Sequence, residues 1–103
     1  MNRRTSNRVR VDLLINRFLD GHPYMCRVTD ISPTGLRLVP LLEPKQAPRF
    51  MGLQFQLPGA DTVFTASAEA VNGSPDDSAG TGVRFTTLPP DCESVIRRLV
   101  GVN

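Results

Sequence analysis

The chain has 103 residues and a mass of 11.3 kDa, which sets an expectation of one domain, and its 40% hydrophobic and 21% charged residues describe a globular chain rather than a disordered one. Twelve basic residues against ten acidic ones leave a formal charge of +2, which does not by itself argue for bulk nucleic-acid binding. No apolar run reaches bilayer length and no signal-peptide stretch follows the N-terminus, so a cytoplasmic protein with no membrane insertion is expected; Cys26 and Cys92 are too few for a disulfide scaffold or a four-cysteine zinc site and are expected to be buried free thiols.

Period-two alternation dominates the chain. Val9, Val11, Leu13 and Ile15 share one parity, with Arg8, Arg10, Asp12 and Asn16 on the other, the mark of a half-buried strand. Asp20-Gly21 signals a turn, with His22 within it and Pro23 just beyond. Tyr24, Cys26 and Val28 continue as a second strand, Asp30 to Gly35 reads as a turn, and Gly35 to Val39 as a third strand. Prolines 40, 44 and 48 mark Pro40–Arg49 as a loop. Met51, Leu53, Phe55 and Leu57 define a fourth strand, and Pro58 to Asp61 a turn. A fifth strand runs from Thr62 to Val71, and its face of Phe64, Ala66, Ala68 and Ala70 predicts close approach of another element. Asn72–Thr81 reads as a polar loop, and Gly82 to Phe85 as a short sixth strand.

The period then changes. Cys92, Val95, Ile96 and Leu99 fall at i, i+3, i+4 and i+7, which predicts an amphipathic helix at about residues 90–100 whose apolar stripe is buried. Pro89-Pro90 suits its first turn, Glu93 and Arg97-Arg98 complement its dipole, and Gly101 is a natural stop. The expected architecture is all-β: a six-stranded antiparallel barrel, residues 9–103, with one short C-terminal helix, preceded by an arm over residues 1–8.

Catalytic chemistry finds little support. His22 is the only histidine and sits in an apparent turn, Ser32 lacks a nucleophile-elbow pattern, and there is no metal-ligand cluster, Walker loop or dinucleotide fingerprint. The expectation is a protein that is not an enzyme and uses no cofactor or metal. Two features stand above this background. Arg4 and Arg8 lie four apart just ahead of the first strand, where the bland reading is a basic tail. Asp30-Ile31-Ser32-Pro33-Thr34-Gly35 joins two strands: Asp30 and Ser32, two apart, are expected on one face, and Gly35 is expected to supply a positive φ. The bland reading there is a turn whose Asp and Ser satisfy local backbone groups.

Taken together and in this order, these features resemble the PilZ domain family, bacterial receptors of cyclic di-GMP, with its RxxxR motif before the first strand and its [DN]xSxxG motif between the second and third. Arg4 and Arg8 match the first, and Asp30, Ser32 and Gly35 the second. The resemblance implies a cyclic di-GMP site formed by Arg4, Arg8, Asp30, Ser32 and Gly35, with Arg3 as an additional phosphate or stacking partner. The chemistry is consistent: an arginine fork donates to O6 and N7 of guanine, and a carboxylate accepts from N1–H and N2–H₂. Arg10 and Arg37 are expected to be ordinary surface charges. Residues 1–7 hold no apolar side chain beyond Met1, so the arm is expected to be mobile without ligand and to fold onto the barrel with it. A stand-alone monomer is expected, passing its signal to a separate, unidentified protein. The alternative is a PilZ-like interaction subunit that binds no nucleotide. One lysine, one tyrosine, no tryptophan and the modest charge weigh against DNA or RNA as partner.

Overall fold

A computed structural model describes residues 8–41, 48–72 and 80–101. Six strands and a helix follow in chain order: β1 (Val9–Leu19), β2 (His22–Ile31), β3 (Gly35–Pro40), β4 (Phe50–Gln56), β5 (Val63–Asn72), β6 (Thr81–Thr87) and α1 (Pro90–Val100). The strands close into an antiparallel barrel in the order β1-β2-β3-β6-β5-β4, with β1 pairing β4 from Asn16 to Phe18. Closure leaves no long free sheet edge, which is how a small all-β domain avoids edge-to-edge association.

The first hairpin is longer than its alternation predicts. Asp20 and Gly21 both have positive φ, 51° and 82°, the signature of a two-residue type I′ turn. The ladder therefore runs up to the turn, pairing Leu19 with His22 and Phe18 with Pro23. His22 begins β2 rather than lying in the turn, and the lengthened β1 carries Arg17 inward, buried between Ile15 and Leu19.

Inward side chains of all six strands form one core. Across β4 and β5 the pairs Met51–Ala68, Leu53–Ala66 and Phe55–Phe64 face each other, so the small residues of β5 accommodate larger ones opposite. This is the close approach that the alanine-rich face predicts. Phe55 and Phe64 meet tilted, with ring centroids 6.4 Å apart.

The helix starts with Pro90 at its first turn and ends at Gly101, whose φ of 81° lets its N–H reach the carbonyls of Arg97 and Arg98. Its stripe is buried unevenly. Cys92 and Ile96 are sealed within the core, whereas Val95 and Leu99 are only partly covered, because the helix rests on the core along a narrow line. Strand directions place the first residues of β1, β3 and β5 and the last of β2, β4 and β6 at one end of the barrel, and α1 packs at that end. Among the described residues no helix is long and apolar enough to cross a membrane.

Candidate functional site

Unbroken alternation along β2 would point Asp30 inward, in line with Cys26 and Val28. The structure instead turns it outward. The β2–β3 register slips between Val28 and Asp30, two steps on β2 against one on β3. Val28 and Ile31 are then both buried, three residues apart, and the Asp30 carboxylate reaches the outer surface with its side chain 22% exposed. There it is ion-paired with the guanidinium of Arg8, the residue immediately before β1. Two of the residues expected at the site, twenty-two positions apart in the chain, thus meet at one edge of the barrel.

The same register brings in two arginines that alternation leaves as ordinary surface charges. Asp30 stands opposite Arg10 on β1 and opposite Arg37 on β3. Arg37 also donates to the carbonyl of Gly80 at 3.2 Å, which ties β3 to the start of β6. Asp30 is therefore paired with one guanidinium and stands across the two ladders from two further arginines, positive charge that attracts an anion beside a single acceptor. The signal was present in the sequence as arginines on outward parities, but their common location depends on cross-strand register.

Ser32 and Gly35 behave differently from expectation. Ser32 is 5% exposed and does not share an outward face with Asp30. Its Oγ accepts from the backbone N–H groups of Thr34 and Gly35, both at 3.2 Å, and lies 3.1 Å from Thr34 Oγ1, while its own N–H donates to the Gly35 carbonyl at 2.8 Å. The hydroxyl shapes the turn, as serine commonly does in such loops. Gly35 is not a positive-φ residue: among the described residues the glycines in that region are Gly21, Gly59, Gly80 and Gly101. It is required by contact. A Cβ at Gly35 would stand 2.1 Å from the Val83 carbonyl oxygen and 3.2 Å from Arg84 Cα, so only glycine lets β3 come this close to β6. Arg3 and Arg4 lie outside the described residues, as do residues 1–7 of the arm expected over residues 1–8.

On the far side of the turn, Pro33 and Thr34 line a cavity of about 400 Å³ with Arg84, Phe85, Leu88 and Arg97. The Thr34 carbonyl accepts the Phe85 N–H at 2.9 Å. Further round the barrel Glu69, 4% exposed, is bound by Arg84 and Arg49. The Arg84 guanidinium in the first place, and Arg49 with it, hold its carboxyl below the usual value of 4.5 against the opposing effect of burial. Sequence reading missed this carboxylate, a single Glu within an alanine-rich strand. Among the described residues no group of His, Cys, Asp and Glu is arranged to hold a metal ion.

The family model of the PilZ domain matches residues 2–101. Among solved structures, an uncharacterised Legionella protein superposes with a TM-score of 0.59 at 20% identity, over 89% of this chain and 91% of that one, which is a likeness of fold. No curated protein matches the chain.

Proposed function

Because this chain belongs to the PilZ domain family, in general a family of cyclic di-GMP receptors, we propose that it binds cyclic di-GMP at the Arg8–Asp30 edge of the barrel and passes the signal to a separate partner protein. It catalyses no reaction in this reading and needs no cofactor. The observation that carries the proposal is the meeting of Arg8 and Asp30 on an outward, arginine-flanked surface beside the Ser32–Gly35 turn.

Guanine presents two acceptors on its Hoogsteen edge and donors on its Watson–Crick edge, and these match a guanidinium and a carboxylate respectively. Arg8 and Asp30 exchange their mutual ion pair for these contacts. The exchange is inexpensive, since an ion pair this exposed contributes about 0–1 kcal/mol. Arg10 and Arg37 supply further positive charge toward the phosphates. Arg4, with Arg3 beside it, reaches the ligand from the arm, and ordering of the arm forms part of the surface that the partner reads. Ser32 and Gly35 act by holding the turn in shape, so that Asp30 keeps its orientation.

Isothermal titration of the full chain with cyclic di-GMP tests the proposal, with cyclic di-AMP as control. Saturable binding of the guanine dinucleotide, weakened by Arg8→Ala and by Asp30→Ala, is the expected outcome. No binding to wild type would favour the interaction subunit that binds no nucleotide. Equal binding of the two dinucleotides would remove Asp30 and Arg8 as readers of guanine.

A further inference from the structure

Cross-strand register on the opposite flank of the motif turn assembles a second constellation. Gly35 on β3 stands opposite Arg84 on β6, Arg84 opposite Glu69 on β5, and Glu69 opposite Phe50 on β4. Arg49 precedes Phe50, and its guanidinium carbon lies 5.5 Å from the Phe50 ring centroid. We propose that this row, Arg49–Phe50–Glu69–Arg84, is a docking surface for a partner protein that presents an acidic side chain beside an apolar one. The proposal deepens the receptor reading by naming the chemistry of the partner, and rests on that reading for the signal the partner receives.

Charge supports the acidic part. Glu69 is one carboxylate shared by two guanidinium groups, with Arg49 Nε at 3.0 Å and Nη2 at 2.9 Å from Oε2 and Arg84 on Oε1, so the cluster keeps one positive charge in excess. Each guanidinium has five N–H donors, more than these contacts consume, and both side chains are more than 60% exposed. Glu69 fixes the two forks in place from beneath, so an incoming carboxylate meets donors whose freedom is already restricted. The apolar part falls to Phe50, 62% exposed and held by Arg49 above its ring, with Val71 exposed two residues beyond Glu69 on β5. Exposed aromatic and arginine side chains together are the composition of energetic centres in protein interfaces. A nucleic acid is disfavoured: one aromatic ring gives no stacking track, and a single excess positive charge suits one side-chain carboxylate better than a run of phosphates.

Selection of a phage-displayed random heptapeptide library on the folded full chain tests this, run in parallel on Phe50→Ser and Arg84→Ala. Both side chains are exposed, so the variants should keep the wild-type circular dichroism spectrum, and Arg49→Ala provides an independent third surface change. Peptides enriched on wild type should carry Asp or Glu next to Leu, Ile or Phe. The best synthetic peptide should lose at least tenfold in affinity to each variant, and as much when its own acid is replaced by the amide, a change that leaves the protein untouched. Enrichment that is the same on wild type and variants, or peptides without an acid, would overturn the proposal, and oligouridylate displacing the peptide would reassign the row to nucleic acid. Titration of Phe50→Ser with cyclic di-GMP keeps the two readings apart. Retained nucleotide binding with lost peptide binding supports the docking surface, whereas failure of wild type to bind cyclic di-GMP removes the receptor reading and leaves the peptide result standing.

Discussion

Replacing Gly35 by alanine is the sharpest test of why the motif turn has its shape. The added Cβ would lie 2.1 Å from the Val83 carbonyl oxygen and 3.1 Å from the carbonyl carbon, both backbone atoms that no rotamer change can move. Restoring an ordinary contact requires β3 and β6 to separate by about an ångström, and overpacking of this kind costs about 1–3 kcal/mol. The separation also strains the Phe85 N–H to Thr34 carbonyl bond of 2.9 Å beside it, whose loss adds about 1 kcal/mol. The sum, about 2–4 kcal/mol, corresponds to a fall in Tm of about 10–20 °C for a domain of this size. Scanning calorimetry of wild type, Gly35→Ala and Gly35→Asn reads it. Asparagine tolerates positive φ better than alanine, so a glycine needed for its φ would be replaced less harmfully by Asn. Here Asn is larger and should be at least as damaging as Ala. A Gly35→Ala Tm within 2 °C of wild type, or an Asn variant clearly more stable than the Ala variant, would refute the close-contact account.

Other outcomes follow from the same structure. Arg8→Ala and Asp30→Ala should each weaken cyclic di-GMP binding by about 1–3 kcal/mol, ten- to hundredfold by calorimetry, with Tm almost unchanged because their ion pair is solvent-exposed. Ile96→Ala, sealed in the core, should cost about 2–5 kcal/mol in urea unfolding, and Leu99→Ala distinctly less because the structure leaves it partly exposed. Glu69 has a folded-state pKa below its ordinary 4.5, so its ion pairs stabilise the protein above that value and the contribution is lost as pH falls through the lower, folded-state pKa. Acid unfolding of Glu69→Gln should therefore lack this component, a difference visible by circular dichroism between neutral and acidic buffer. Burial pushes the Cys92 thiol up to about 11, so the folded protein should resist Ellman's reagent at pH 8 and label at the rate at which it unfolds.

Much of the architecture is written in local periodicity. Alternation marks all six strands, Asp20-Gly21 declares its hairpin, and the shift to i, i+3, i+4 spacing after Pro90 declares the helix, because burial of one strand face or one helix stripe leaves its period in the residues. Strand ends were legible only approximately: β1 runs to Leu19 and β2 begins at His22 because a type I′ turn of two residues extends the ladder beyond the clean alternation. The motif positions Arg8, Asp30, Ser32 and Gly35 were likewise legible as residue types at characteristic spacings.

Their relations in space were not. Asp30 faces outward because the register slips by one residue after Val28, and a slip of one reverses every face that alternation would assign. Gly35 is needed for the approach of β6, an element that starts more than forty residues later, and not for a dihedral angle of its own turn. Arg10 and Arg37 become neighbours of Asp30, and Arg84 and Arg49 neighbours of Glu69, through pairings between strands whose order around the barrel departs from their order in the chain. A sequence reports which residues share a face of their own strand. Only the closed barrel decides which strands lie side by side and in what register, since that choice is made by the packing of the whole core at once.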